Sequence, residues 1–205
     1  MRFSQTTIAG VVAATTLAVS VAGCGSHPSS TTNSATSATS SHSSGPASSA
    51  PAQQTDYARL LIQATDIKAP ETFTASPPVN NPNGQPGVAT TFSTPDGDHV
   101  IHDTIQVLAD PAAATNALNS AKAGQGKSLK DPQTDSANIN IGTGATVISG
   151  NLPDGSKGVA ILLFTEGRAF VTLQFDGPPS MLPPPDFVTD LGQKQDAAIK
   201  KGLGS

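Results

Sequence analysis

The chain has 205 residues, of which 13% are charged and 4% aromatic, and its formal net charge is −4. A mildly acidic chain lacks the basic patch with which proteins neutralise nucleic-acid phosphates, so we expect no nucleic-acid partner. A single cysteine excludes an internal disulfide, and in an exported protein that cysteine needs another explanation.

The amino terminus has the pattern of an export signal. Arg2 gives it a positive start, and residues 8–22 are uncharged and largely apolar. About fifteen helical residues rise only ~22 Å, short of the ~30 Å hydrocarbon core of a bilayer. The pattern therefore indicates a signal peptide over 1–23 rather than a membrane-spanning helix.

The signal ends in Val21-Ala22-Gly23-Cys24, which resembles the lipobox of bacterial lipoproteins. In that family a diacylglycerol thioether forms on the cysteine, and cleavage makes it the new amino terminus. The resemblance implies lipidation of Cys24, with palmitate-type chains that hold the protein to the extracytoplasmic side of the cell membrane. Two or more acyl chains give stable anchoring, which a single chain does not. The alternative is an ordinary signal peptide, a chance cysteine and a free secreted protein.

Residues 24–55 predict the acylated cysteine followed by a flexible tether. After Cys24 they contain no Asp, Glu, Lys or Arg and no large apolar side chain, and more than half are Ser or Thr. Such a segment buries too little apolar surface to offset the entropy of ordering, so we expect disorder. A coil of this length spans roughly 30 Å. Residues 56–205 then form a single domain.

The first element predicted in the domain is a helix over 56–68, which ends before Pro70. Its apolar side chains recur at helical spacing. They are Tyr57, Leu60, Leu61, Ala64 and Ile67.

Five segments have the length and apolar content of strands. They are 88–94, 99–109, 139–149, 159–165 and 168–176. Pro-Asp-Gly turns at 95–97 and 153–155 join the first two and the next two. A two-residue turn at Glu166-Gly167 joins the last two, and it would pair Phe164 with Ala169.

Two further helices are bounded by capping residues. Asp110 and Pro111 begin the second, which ends near Gly126. The third begins near Asp186 and ends at Gly202 as a left-handed cap. The order α-β-β-α-β-β-β-α predicts an α+β fold: an antiparallel sheet of about five strands with three helices, preceded by the disordered tether.

Two short patterns suggest ligand chemistry and are better explained by structure. Gly126-Lys127-Ser128 resembles the end of a phosphate-binding loop, but Ala121 stands where the motif requires its first glycine. His99 and His102 lie three apart on a predicted strand and would point to opposite faces. We therefore expect no cofactor and no metal ligands.

Asp103 is unusual because it shares its predicted strand face with Ile101 and Ile105. Either it is a buried, hydrogen-bonded carboxylate or the strand is bulged, and we favour a structural over a catalytic role. The sequence has no Gly-x-Ser-x-Gly elbow and no Ser-x-x-Lys motif. We expect no catalytic residues and no enzymatic activity.

The last predicted hairpin is apolar on both faces, with Ile161, Leu163 and Phe170 on the second face. If helices cover both sides, these residues belong to the core, and we favour that interpretation. If the second face is open, it is an apolar groove for a lipid or a partner.

The lipobox, the Ser/Thr-rich tether and the Ala/Gly/Thr-rich domain together resemble the small cell-envelope lipoproteins of mycobacteria and related actinobacteria. The element order is loosely similar to sensor-like and Mog1/PsbP-like domains. The resemblance implies a membrane-anchored binding or interaction module, with an envelope protein or a lipid as its ligand. The alternatives are a carrier of an apolar lipid or glycolipid, which needs a cavity of several hundred Å³, and a hydrolase. The sequence does not indicate an oligomeric state.

Overall fold

The computed structural model describes residues 56–135 and 140–204, so the predicted signal peptide, Cys24 and the predicted tether lie outside the described residues. Within these described ranges, eight antiparallel strands form one sheet. Their bounds are β1 Thr74–Ala75, β2 Val79–Asn80, β3 Gly87–Ser93, β4 Val100–Val107, β5 Lys130–Asp135, β6 Thr143–Asn151, β7 Gly158–Glu166 and β8 Ala169–Gly177. The expectation of about five strands is wrong: the predicted five correspond to β3, β4, β6, β7 and β8, and three more are present.

The strand order across the sheet is β1-β3-β4-β8-β7-β6-β5, and β2 also pairs with β3. The three strands that the sequence did not predict are therefore at the two edges. β1 and β2 have two residues each, too few to show alternation. β5 is exposed along its whole length and contains Pro132, which breaks a strand pattern.

Two α-helices are present among the described residues, α1 at Pro111–Gln125 and α2 at Pro185–Leu203. The Asp110 carboxylate caps α1 as predicted, accepting a hydrogen bond from the N–H of Ala113 at 2.7 Å. α2 continues beyond the predicted end, and its left-handed cap is Gly204, with φ of 71°. Gly202 stays inside the helix, where it contacts Leu60 closely.

The helix expected over 56–68 does not form as a continuous α-helix. Two short 3₁₀ turns, Ala58–Leu60 and Ala64–Asp66, take its place. Gln195, buried on α2, donates to the carbonyl of Leu60 at 2.6 Å and accepts from the N–H of Ile62 at 3.2 Å. These bonds hold the backbone extended between the turns, so a tertiary contact overrides the local helical pattern.

Apolar cores lie on both faces of the sheet. α2 and the segment from Tyr57 to Phe73 cover one face, which is built from alternate residues such as Leu162 and Leu173. α1 covers the other face over β6, β7 and β8, where Leu118 packs with Ile161 and Leu163. β7 is buried on both sides for this reason.

The β7–β8 hairpin turns one residue later than predicted. Glu166 pairs with Ala169, so Gly167 and Arg168 form the turn, with Gly167 at φ of 53°. Phe164 therefore pairs with Val171 rather than with Ala169. A shift of two residues in partner leaves every side chain on its predicted face, since the side-chain period of a strand is two.

Candidate functional site

An apolar cleft of about 500 Å³ lies at the end of the sheet where β4 begins and β8 ends. Four parts of the chain form it: the segment that leads to β1, the ends of the two strands, the loop after β8 and the start of α2. The lining residues are Lys68, Ala69, Pro70, Glu71, Phe73, His99, Val100, Ile101, Phe175, Asp176, Gly177, Met181, Leu182, Pro183, Pro184 and Phe187.

The floor of the cleft is aromatic and aliphatic. Ile101 and Phe175 are cross-strand partners on β4 and β8, and both are buried. Phe187 packs edge-on against Phe175, with ring centroids 5.9 Å apart and ring planes at 71°. Phe73 is buried beside them. An apolar floor of this kind favours ligands that gain by leaving water.

The loop from Pro178 to Pro184 forms one rim of the cleft. The N–H of Met181 donates to the carbonyl of Pro178 at 3.0 Å, and the same carbonyl accepts from Gly158 at 3.2 Å. A Cβ on Gly158 would lie 2.5 Å from the carbonyl oxygen of Met181, so this glycine permits the loop to contact β7. The loop is thereby fixed to the end of the sheet.

The same loop exposes apolar side chains next to the cleft. Met181 is 58% exposed and Leu182 46% exposed. Large exposed apolar residues that border an apolar cavity enlarge the surface that a ligand can cover. They indicate that a bound ligand would contact the loop as well as the floor.

Charged groups lie on the remaining rim. Lys68 and Glu71 are exposed and make no hydrogen bond or ion pair with other described residues. Asp176 is nearly buried: it accepts from Gln174 at 2.8 Å and from Lys157 at 3.3 Å. Burial alone would raise the pKa of Asp176, but these bonds, the nearby His102 and the charge of Lys157 lower it to about 2.

A polar cluster extends from Asp176 across the opposite face of the sheet. The Thr91 hydroxyl lies 3.3 Å from Nδ1 of His102, and Nε2 of His102 lies 3.8 Å from the Asp176 carboxylate. Thr91 and His102 also line a smaller pocket of about 190 Å³. β4 lies between β3 and β8, so its N–H groups are used in the sheet and offer no donor to an oxyanion.

The histidines identified from the sequence are not brought together. His99 lines the cleft, whereas His102 contacts Thr91 and Asp176 on the other face. Within the described ranges, no group of three or more His, Cys, Asp or Glu side chains could hold a metal ion.

Asp103 fits neither of the two explanations considered for it. It is completely buried, and its pairing with Thr90 and Leu173 belongs to an unbroken register, so the strand has no bulge there. Neither carboxylate oxygen has a hydrogen-bond partner among the described residues. Burial raises the pKa of Asp103 to about 8. The carboxyl group is held uncharged in the core. It lies two residues along β4 from the floor residue Ile101, on the same face of the sheet.

Ile161, Leu163 and Phe170, the apolar face identified from the sequence, lie beneath α1 and are buried. They line neither an open groove nor the cleft. The cleft was not predicted because its lining comes from four separate segments of the chain. The one indication in the sequence is the pair of apolar residues, Met181 and Leu182, within the proline-rich stretch 178–185.

No protein-family model matches the chain, and no curated protein matches its sequence. Its fold is similar to the extracellular domain of PknH from Mycobacterium tuberculosis, with a TM-score of 0.53 and 8% sequence identity. The similarity covers 76% of this chain and 99% of that one. At this identity the likeness concerns the fold alone.

None of the helices in the described part of the chain is long and apolar enough to cross a membrane.

Proposed function

We propose that this protein is a membrane-anchored, extracytoplasmic binding module of the cell envelope whose ligand is a small apolar molecule. The cleft at the end of the sheet is the observation that carries this proposal. Its volume of about 500 Å³ lies within the range of ~300–1,000 Å³ that is typical of small-molecule sites. It also meets the size that a carrier of an apolar ligand requires.

The proposed location is supported by two independent observations. Val21-Ala22-Gly23-Cys24 resembles a lipobox and directs the acyl anchor to Cys24. The domain shares its fold with an extracellular mycobacterial domain. On this proposal the partners are the membrane, through the lipid on Cys24, and the ligand in the cleft.

We further propose that the module binds its ligand without chemical change. Two polar groups at this end of the sheet are engaged with neighbours, Asp176 with Gln174 and Lys157, and His102 with Thr91. Their arrangement serves to fix the end of the sheet. The charged groups that remain free, Lys68 and Glu71, lie on the exposed rim of the cleft. No metal, cofactor or nucleic acid enters the proposal.

A neutral apolar dye, N-phenyl-1-naphthylamine, tests the cleft as a binding site through its fluorescence. We expect saturable binding of one dye per protein. Ala69→Trp places a bulky ring in the cleft and should weaken the affinity at least about tenfold, a cost of ~1.4 kcal/mol. Ala112→Trp, an exposed position on α1, is the matched control and should bind as the wild type does.

Circular dichroism establishes that each variant is folded. If folded Ala69→Trp bound the dye as tightly as the wild type, the cleft would not be the site, and the proposed function would lose its main support.

A further inference from the structure

We infer that the ligand is a single-chain zwitterionic amphiphile, with its chain in the cleft and its headgroup between Lys68 and Glu71. This inference rests on the proposed function, because it assigns a chemical class to the ligand of the same cleft. It is based on a difference between the two rims of the cleft: one rim is apolar, and the other has charged side chains.

The floor and one rim suit an alkyl chain. Ile101, Phe73 and Phe175 are buried at the floor, and Met181 and Leu182 continue the apolar surface outward. No charged side chain belongs to this part of the lining. A chain along this path would remove the exposed surface of Met181 and Leu182 from water, which stabilises the complex in proportion to the area buried.

The other rim has one cation and one anion. Lys68 and Glu71 are three residues apart in the same segment, both line the cleft, and neither has a partner among the described residues. The third charge, on Asp176, is already matched by Lys157 at 3.3 Å. The free charges of the rim are therefore one cation and one anion, and they sum to zero.

Charge complementarity then selects the headgroup. An anionic headgroup would be attracted by Lys68 and repelled by Glu71. A cationic headgroup would be attracted by Glu71 and repelled by Lys68. A zwitterion can place its anion near Lys68 and its cation near Glu71. Because both groups are exposed, each contact contributes only ~0.2–1 kcal/mol, so the charges govern preference and orientation more than total affinity.

Three detergents with the same chain test the headgroup: dodecylphosphocholine, dodecyl phosphate and dodecyltrimethylammonium, each titrated calorimetrically below its micelle concentration. We expect dodecylphosphocholine to bind about two- to fivefold more tightly than either the anionic or the cationic probe, the fold-change that one exposed charge pair supplies. Decylphosphocholine should bind about tenfold or more weakly than its dodecyl counterpart, since each buried methylene contributes about fourfold.

Charge variants locate the preference. Lys68→Glu should turn the preference toward the cationic probe, and Glu71→Lys should turn it toward the anionic probe. Lys127→Glu changes the net charge as Lys68→Glu does, at an exposed position away from the cleft, and should leave the order of the three probes unchanged.

The outcomes separate the two proposals. If the three dodecyl probes bind equally, or if Lys68→Glu and Lys127→Glu have the same effect, the zwitterionic assignment is wrong while the cleft remains an apolar site. If none of the dodecyl probes binds but the neutral dye does, the single-chain class is wrong. If neither the probes nor the dye bind, the proposed function fails as well.

Discussion

Asp103 is an ionisable residue in an apolar core, and neither of its carboxylate oxygens has a hydrogen-bond partner among the described residues. It lies between Thr90 and Leu173 in the sheet, on the face covered by α2 and by the segment from Tyr57 to Phe73. The hydroxyl of Thr90 donates to the carbonyl of Ser76 rather than to this carboxyl. An apolar core stabilises the protonated form, since an isolated charge there would lose its hydration.

The stability of the protein should therefore fall as the pH rises toward 8. The pKa of Asp103 is about 8 in the folded protein, against a usual 3.8. Between these values the folded state holds one more proton than the unfolded state, so the free energy of unfolding decreases by about 1.4 kcal/mol for each pH unit. Below pH ~4 the effect is absent, and above pH 8 the full penalty is present.

Asp103→Asn isolates this contribution, because the amide has nearly the same shape and does not titrate. We expect urea unfolding at pH 5 to 8 to show the decrease in the wild type and a much flatter profile in the variant. All other ionisable groups are the same in both proteins, so their contribution cancels in the difference. Parallel profiles would show that Asp103 is charged or has a partner in the folded state.

At the scale of single elements, α2 packs on the core at a glycine. A Cβ on Gly192 would lie 2.5 Å from Cδ2 of Leu162 and 2.6 Å from Cδ1 of Ile141, so these two buried side chains already occupy the space beside the glycine. Glycine lowers the intrinsic stability of a helix, and here the close packing offsets that loss.

Gly192→Ala should therefore destabilise the protein by ~1–3 kcal/mol, although alanine is the better helix former. Gly124→Ala on α1 is the matched control, because a Cβ there meets nothing within 4 Å. It should stabilise the protein by up to ~1 kcal/mol. Denaturant midpoints of the two variants measure the difference, and equal signs for both would contradict the packing argument.

Phe170 supports the contact between β8 and α1. It is buried in the cluster that contains Leu118 and Leu163. Phe170→Ala should cost ~3–5 kcal/mol of unfolding free energy, the sum of lost burial and a residual cavity. Binding of the neutral dye should be unchanged once the variant is folded, because Phe170 is not in the cleft. Near-native stability together with lost binding would instead identify its face as the ligand site.

The sequence predicted those elements whose signals are local. The Asp110 cap and the five longer strands depend on nearby residues. The cap and four of the strands form within two residues of the expected bounds, whereas β6, expected over 139–149, runs from Thr143 to Asn151. The helix over 56–68 failed because Gln195, about 130 positions away, binds its backbone. The turn at Gly167 was misplaced by one residue because the sequence alone does not show which position has positive φ.

The cleft could not be predicted from the sequence for a related reason. Phe73, Ile101, Phe175 and Phe187 come from four segments, and each residue alone is an ordinary core residue. Only the sheet order, with β8 beside β4, brings Ile101 next to Phe175. Lys68 and Glu71 can be recognised as part of the rim of a cleft only when the positions of these strands are known.

At the scale of the whole molecule, the proposed function combines an anchor with a binding domain. The anchor depends on Cys24, the single cysteine of the chain. Cys24→Ala should leave the protein as unacylated, unprocessed precursor, because the residue that accepts the lipid is lost. Phase separation in detergent checks this: the wild type should partition into the detergent phase. Wild-type protein that is soluble and cleaved at another site would contradict the lipoprotein interpretation.

Mass spectrometry of the protein from its native envelope tests anchor and ligand together. The account predicts a chain that begins at Cys24 and has acyl groups on it. It also predicts one non-covalent single-chain amphiphile per protein, released on denaturation and depleted in Ala69→Trp. A chain without acyl groups, or equal amounts of the same small molecule in wild type and Ala69→Trp, would contradict it.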